Sequence, residues 1–192
     1  MIKKIYYKIK WLPSELYNLI MFKIRGICRE EGLKTRGRIF IRGKGKITIG
    51  NNVTINSCVE ANPIGGGFQT LFYIKDTGEL RIGNNVGISN SAFYSENSIL
   101  IEDNVFIGNN CKIYDSNFHS LNYYERVTKQ EDIKTAPVCI QEGAFIGAHV
   151  IILKGVTVGR HSIVGAGSVV TKSIPNNEVW AGNPAQFIRK IK

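Results

Sequence analysis

Aliphatic residues recur at a fixed interval through the C-terminal third of the chain, at Ile140, Ile146, Ile152, Val158, Val164 and Val170, with glycine directly following at 147, 159 and 165. The same interval returns upstream as Ile49 and Ile55, as Ile82 and Ile88, and as Ile101, Ile107 and Ile113. Small or β-branched residues stand two places before many of these aliphatics, at Val53, Val86, Val105, Cys111, Val150, Val156, Ser162 and Ser168. A hydrophobic residue every six positions predicts a parallel β-helix, in which three hexapeptides make one triangular coil and each side sends one side chain to the axis. Gly-Asn-Asn at 50 to 52, 83 to 85 and 108 to 110 supplies residues that tolerate left-handed backbone where the corners fall.

The breaks in the pattern predict loops. Asn62-Pro63-Ile64-Gly65-Gly66-Gly67 holds too much glycine for a side of the prism, which predicts an excursion at about 62–79. Ile113 and Ile140 are 27 positions apart, not a multiple of six, so a second loop leaves across 115–137. Its polar stretch, Asp115 to Ser120, is the kind of segment in which a rigid scaffold carries binding and catalytic groups. A one-residue slip between Ser89 and Ser98 reads as a bulge. The expected fold class is all-β: a β-helix over 47–180, preceded by a basic amphipathic segment over 1–46 and followed by a tail over 181–192.

Charge separates the first segment from the rest. The chain of 192 residues has a formal net charge of +10. Residues 1 to 46 hold 13 Lys and Arg against three Glu, and the remainder holds 12 of each sign. Leu12, Leu16, Leu19, Ile20 and Ile24 predict an amphipathic helix from Trp11 to Arg25, with Ser14 as its N-cap after Pro13 and Gly26 or Gly32 near its end. The longest apolar run, Leu19 to Phe22, is too short to cross a bilayer, and no secretory signal is recognisable. Two roles are open: docking on the blunt end of the prism or on a neighbouring subunit, or peripheral contact with an anionic membrane through residues 1–25. The aromatics follow the amphipathic pattern rather than a stacking module, which argues against nucleic acid. Cysteines 28, 58, 111 and 139 have no zinc-type spacing, so a cytoplasmic setting with Cys111 as a buried thiol is expected, and no metal.

Ala144-Phe145-Ile146-Gly147-Ala148, the run from Gly165 to Lys172, and Ala181-Gly182-Asn183-Pro184-Ala185 resemble the motifs of the hexapeptide-repeat acyltransferases. The likeness covers roughly residues 48 to 192 and is greatest to the branch of maltose, galactoside and polysaccharide O-acetyltransferases. It implies a left-handed β-helix, although parallel crossovers are otherwise almost always right-handed. It also implies a homotrimer with active sites between subunits and acetyl-CoA as co-substrate, and together with the basic amphipathic N-terminus it points to a sugar hydroxyl of a cell-surface polysaccharide or its precursor as acceptor, at the inner face of the membrane. Gly147, Ala148, Gly165 and Ala166 match positions where backbone groups meet the pantetheine arm, unless they merely shape tight corners. Lys172 matches the basic residue near the CoA phosphates, with Arg189 assisting. Pro184 and its flanks resemble the segment that closes over the adenine. Phe145 stands where the family often has Trp, and Ser120 where a second His is common.

Moving an acetyl group from a thioester to a sugar hydroxyl requires a base for a weakly acidic proton, and neutral imidazole is the usual one near pH 7. His119 alone of the three histidines falls in the second loop, where the family carries its catalytic His; His149 and His161 fall at outward positions of regular repeats. Asp115 or Asn117 could orient its ring. Asn90 falls where galactoside-type enzymes hold the acceptor or tetrahedral intermediate, or else simply turns a corner. No nucleophile motif suggests an acyl-enzyme. An antibiotic acetyltransferase of the streptogramin type, an amino-sugar acetyltransferase and a non-enzymatic scaffold are the alternatives. The histidine spacing excludes a γ-class carbonic anhydrase, and the short first segment excludes a serine acetyltransferase.

Overall fold

The computed structural model describes residues 2–62, 64–65, 68–129 and 131–192, with residues 2–8 as backbone alone. It forms a left-handed parallel β-helix of three faces, every strand from Cys28–Arg29 to Ile151–Ile152 that builds the faces pairing with the one three places on. Inward residues stack directly upon one another. Ile49, Ile82, Ile101, Ile140 and Val158 line the first face. Ile55, Ile88, Ile107, Ile146 and Val164 line the second, and Phe72, Phe93, Ile113, Ile152 and Val170 the third. All are at most 3% exposed, and burial of each such side chain stabilises the fold by about 1.5–3 kcal/mol. The residues two places earlier are buried as well. Where they are serines, the hydroxyls are satisfied: Ser162 donates to the Pro175 carbonyl and Ser168 to that of Gly165, both at 2.6 Å.

The asparagine corners have the expected backbone, with φ of 56°, 57° and 59° at Asn52, Asn85 and Asn110. Their side chains form ladders between coils. Asn51 donates its backbone N–H to Asn84 Oδ1 at 2.9 Å, and Asn84 donates its own to Asp103 Oδ1 at 2.7 Å.

The prism starts earlier than residue 47. Cys28–Arg29, Lys34–Arg36 and Phe40–Arg42 form a first coil, in register with Thr48–Ile49, Thr54–Asn56 and Leu71–Tyr73. Its outward basic residues and the inward Thr35 obscure the aliphatic period. The first excursion is correspondingly shorter than 62–79, because Leu71–Ile74 is a strand of the third face whose inward residues are Phe72 and Ile74. The neck of the excursion is tied where Ser57 Oγ accepts from the Thr70 N–H at 2.8 Å and Thr70 Oγ1 donates to the Asn56 carbonyl at 3.0 Å. Pro63, Gly66 and Gly67 lie outside the described residues. The slip near Ser89 resolves into two compensating irregularities. Phe93 follows Ile88 by only five positions, through a tight turn at Asn90, and precedes Ile101 by eight, through a wide corner at Ser95 to Ser98.

The N-terminal helix α1 runs Ile2–Ile24 straight through Pro13, so Ser14 is not its N-cap. Ser14 Oγ instead donates to the Trp11 carbonyl at 2.8 Å and accepts from the Gly37 N–H at 3.2 Å. The helix ends as Gly26 permits: with φ of 62° it sends its N–H to the Lys23 carbonyl, while the Ile27 N–H reaches that of Phe22. Asn18 fixes the helix to the first coil through Thr35 Oγ1, the Gly37 carbonyl and the Ile39 N–H at 2.9–3.0 Å, and Phe22 enters the core at 1% exposed. Helix α1 thus closes the blunt end of its own prism.

Candidate active site

The second excursion is an arm between the strands Lys112–Tyr114 and Val138–Ile140. Its two legs are held at the neck by an antiparallel bridge between Ser116 and Thr135, and by the Ala136 N–H on the Asp115 carbonyl at 2.9 Å. A short helix, α2, Tyr123–Thr128, follows, capped by Asn122 Oδ1 on the N–H groups of Tyr124 and Glu125. His119 lies before that helix and is exposed. Both of its neighbours are anchored. Phe118, in left-handed backbone at φ 64°, packs on Tyr94 and Tyr114 at centroid distances of 4.4 and 5.0 Å. Ser120 is buried, its Oγ accepting from the Asn122 N–H at 3.1 Å and its carbonyl from Arg126 Nη1 at 2.9 Å. The backbone at His119 is therefore fixed from both sides while the imidazole faces outward.

Beside it runs an aromatic strip that the sequence pattern does not reveal. Tyr73, Tyr94 and Tyr114 are register partners on the outer side of the third face. Tyr73 and Tyr94 meet edge-on at 5.0 Å, and Arg42 covers Tyr73 at 4.8 Å. The Tyr94 hydroxyl donates to the Glu96 carboxylate; burial and that neighbouring charge raise its pKa far above the usual phenol value. The signal was present as tyrosines one coil apart, but the irregular corners on either side of Phe93 take them off the six-residue period.

Asp115 does not orient His119. Its carboxylate is wholly buried and accepts from Ser95 Oγ at 2.5 Å and from the Glu96 and Asn97 N–H groups at 2.9 Å each. These are the donors that the wide corner leaves without strand partners, so the acid closes the corner. Asn90 likewise turns a corner, at φ 42° and 1% exposed, with Nδ2 donating to the Phe68 carbonyl at 2.6 Å. That bond engages one of the two N–H groups of the Asn90 amide. Asn109, of the Gly-Asn-Asn corner at 108 to 110, makes the equivalent bond to the Gly65 carbonyl at 2.6 Å. The two asparagines hold the first excursion down over the corner between second and third faces.

Of the expected cofactor residues, Gly147, Ala148, Gly165 and Ala166 occupy the same corner higher up the prism. Gly147 donates to the Val164 carbonyl and Gly165 to that of Trp180, each at 2.8 Å, stacking three successive turns. A Cβ on Gly108 would stand 2.7 Å from the Ala148 nitrogen, and one on Gly147 would stand 2.6 Å from that of Ala166. Glycine below each alanine thus lets the coils stack this closely, and among the described residues neither alanine N–H has an acceptor. The column ends in an antiparallel hairpin, Glu178–Ala181 with Gln186–Lys190, whose turn holds the exposed Pro184 and whose second strand holds the exposed Arg189. Lys172, also exposed, follows Val170 at the opposite edge of the third face, the edge from which the arm leaves. His149 and His161 sit in left-handed corner backbone, φ 62° and 57°, away from the arm.

Residues 140–172 match the model of the bacterial transferase hexapeptide, six repeats. Over this stretch the chain is similar to the hexapeptide-repeat transferases. Its relatives include the galactoside O-acetyltransferase of Escherichia coli K12, 38% identical over 102 residues, which are 53% of this chain and 49% of that protein. The chain spans between about a third and a half of the length of the curated relatives it matches. Among solved structures, a hexapeptide-repeat acetyltransferase of Vibrio cholerae complexed with acetyl-CoA is 32% identical, covers 60% of this chain and 61% of that one, and superposes with a TM-score of 0.54. AntD, an N-acyltransferase from Bacillus cereus solved with dTDP and 3-hydroxybutyryl-CoA, shares the fold of this chain with a TM-score of 0.70 over 91% of the chain and 88% of its own, at 23% identity.

Proposed function

We propose that this chain is a hexapeptide-repeat transferase that moves an acetyl group from acetyl-CoA to a sugar hydroxyl, on a cell-surface polysaccharide or its precursor, in the cytoplasm. The observation that carries the reading is the tightly stacked glycine corner, where among the described residues the Ala148 and Ala166 N–H groups have no acceptor. A pantetheine arm carries amide carbonyls that would accept from them. Lys172 and Arg189 would meet the phosphates, and Pro184 the adenine.

In this mechanism neutral His119 takes the proton of the acceptor hydroxyl as its oxygen attacks the thioester carbonyl. The carbonyl oxygen gains negative charge, which a backbone N–H near Ala148 or the second N–H of the Asn90 amide stabilises. Collapse expels the CoA thiolate, which takes the proton back from the imidazolium. The strip of Tyr73, Tyr94, Tyr114 and Phe118 beside His119 offers flat apolar faces of the kind on which a sugar ring can lie. His119, Ala166, Lys172, Pro184 and Arg189 are all exposed in one subunit, which favours a site completed by a neighbouring subunit of a homotrimer.

The test is the His119→Ala variant assayed for acetyl transfer and, separately, for acetyl-CoA binding. Turnover falls by about a hundredfold or more with nearly unchanged binding. Full turnover in the variant would remove His119 as the base.

A further inference from the structure

Helix α1 closes the prism with one side and leaves an apolar stripe on the other. Ile9, Leu12, Leu16, Leu19, Ile20 and Ile24 are 65, 55, 56, 41, 50 and 70% exposed. At the turn of an α-helix they fall on one side of the cylinder, opposite the Asn18 and Phe22 that face the first coil. Apolar residues scattered over a surface are ordinary, but six on one helix face mark an interaction site.

Charge selects the occupant. Helix α1 has one acidic residue, Glu15, half-buried toward the docked side, whereas Lys10, Lys23 and Arg25 are exposed along it. Lys23 lies in phase with the stripe itself, so its stem can follow the apolar surface while its ammonium reaches an anion. The first coil adds exposed Arg29, Lys34, Arg38 and Arg42 against two exposed acids, Glu30 and Glu31. A second copy docking stripe to stripe would bring these like charges together. A surface of negatively charged headgroups over hydrocarbon satisfies both the stripe and the cations. Among the described residues, no helix is long and apolar enough to cross a membrane, so the contact lies in the plane of the interface.

We propose that α1 seats the prism on an anionic lipid bilayer, its first coil toward the membrane. The proposal does not depend on the chemistry of the arm or of the glycine corner.

The full chain is sedimented with vesicles of phosphatidylglycerol and phosphatidylcholine, and with vesicles of phosphatidylcholine alone. Wild type pellets with the anionic vesicles and is released as salt is raised. The double variant Leu16→Glu, Ile20→Glu partitions at least about tenfold more weakly, with an unchanged melting temperature because both side chains are exposed. Lys10→Glu with Lys23→Glu loses the preference for anionic over neutral vesicles. Wild type that stays in the supernatant with both vesicles, or a Glu variant that pellets equally well, would overturn the proposal. So would a fall in solution mass of the Leu16, Ile20 variant without vesicle binding by wild type, which would mean that another copy covers the stripe.

Discussion

Asp115 reaches back one coil to accept the Ser95 hydroxyl at 2.5 Å, and the same carboxylate takes the two N–H groups that follow in the chain. The bond fixes the wide corner of the third face at the point where the arm begins. Its position, four residues before His119, is thus structural, and it determines the base from which the arm projects.

Asp115→Asn retains the shape but replaces one acceptor oxygen with a donor facing donors. The variant is expected to lose about 1–3 kcal/mol of stability, read as a lowered urea midpoint at unchanged slope. An Asn variant as stable as wild type but slow in acetyl transfer would instead return Asp115 to the imidazole.

Gly147→Ala puts a methyl 2.6 Å from the Ala166 nitrogen, on backbone that cannot rotate away. Stability is expected to fall by about 1–3 kcal/mol, seen as a lower melting temperature, together with loss of acetyl-CoA binding. A variant with native melting and native affinity would show that the corner is neither tight nor occupied.

Asp103 is held below the usual carboxylate range by the hydrogen bonds from the Asn84 side chain and then from its backbone N–H. Its folded value lies below its unfolded one, so its contribution is complete above about pH 4 and is lost as pH falls through the folded value. Unfolding by urea at neutral and at acid pH should show a smaller acid loss for Asp103→Asn than for wild type. An identical pH dependence in the two proteins would count against the ladder from Asn84 as a source of acid sensitivity.

The regular part of the prism was legible because a column of stacked aliphatics imposes its period directly on the chain, as Ile140, Val158 and their fellows show. It stopped being legible where side chains of another kind fill the column. Thr35 faces inward in the first coil, and Phe72 and Phe93 replace aliphatics on the third face, so the start of the prism and the end of the first excursion were misplaced. The glycine corner could be read from its motif. The duties of Asp115 and Asn90 could not, because each is decided by partners from another coil, Ser95 and Phe68, that no local pattern joins to them. The tyrosine strip was hidden for the same reason.

The central claim is that the corner at Gly147, Ala148, Gly165 and Ala166 binds acetyl-CoA, and calorimetric titration of the wild-type chain and of Lys172→Ala with acetyl-CoA and CoA tests it most directly. Saturable binding of both ligands, weakened by the loss of the Lys172 charge, is the predicted result. Absence of binding to wild type at any ligand concentration would contradict the account and leave the prism a scaffold, with His119 an ordinary residue of its arm.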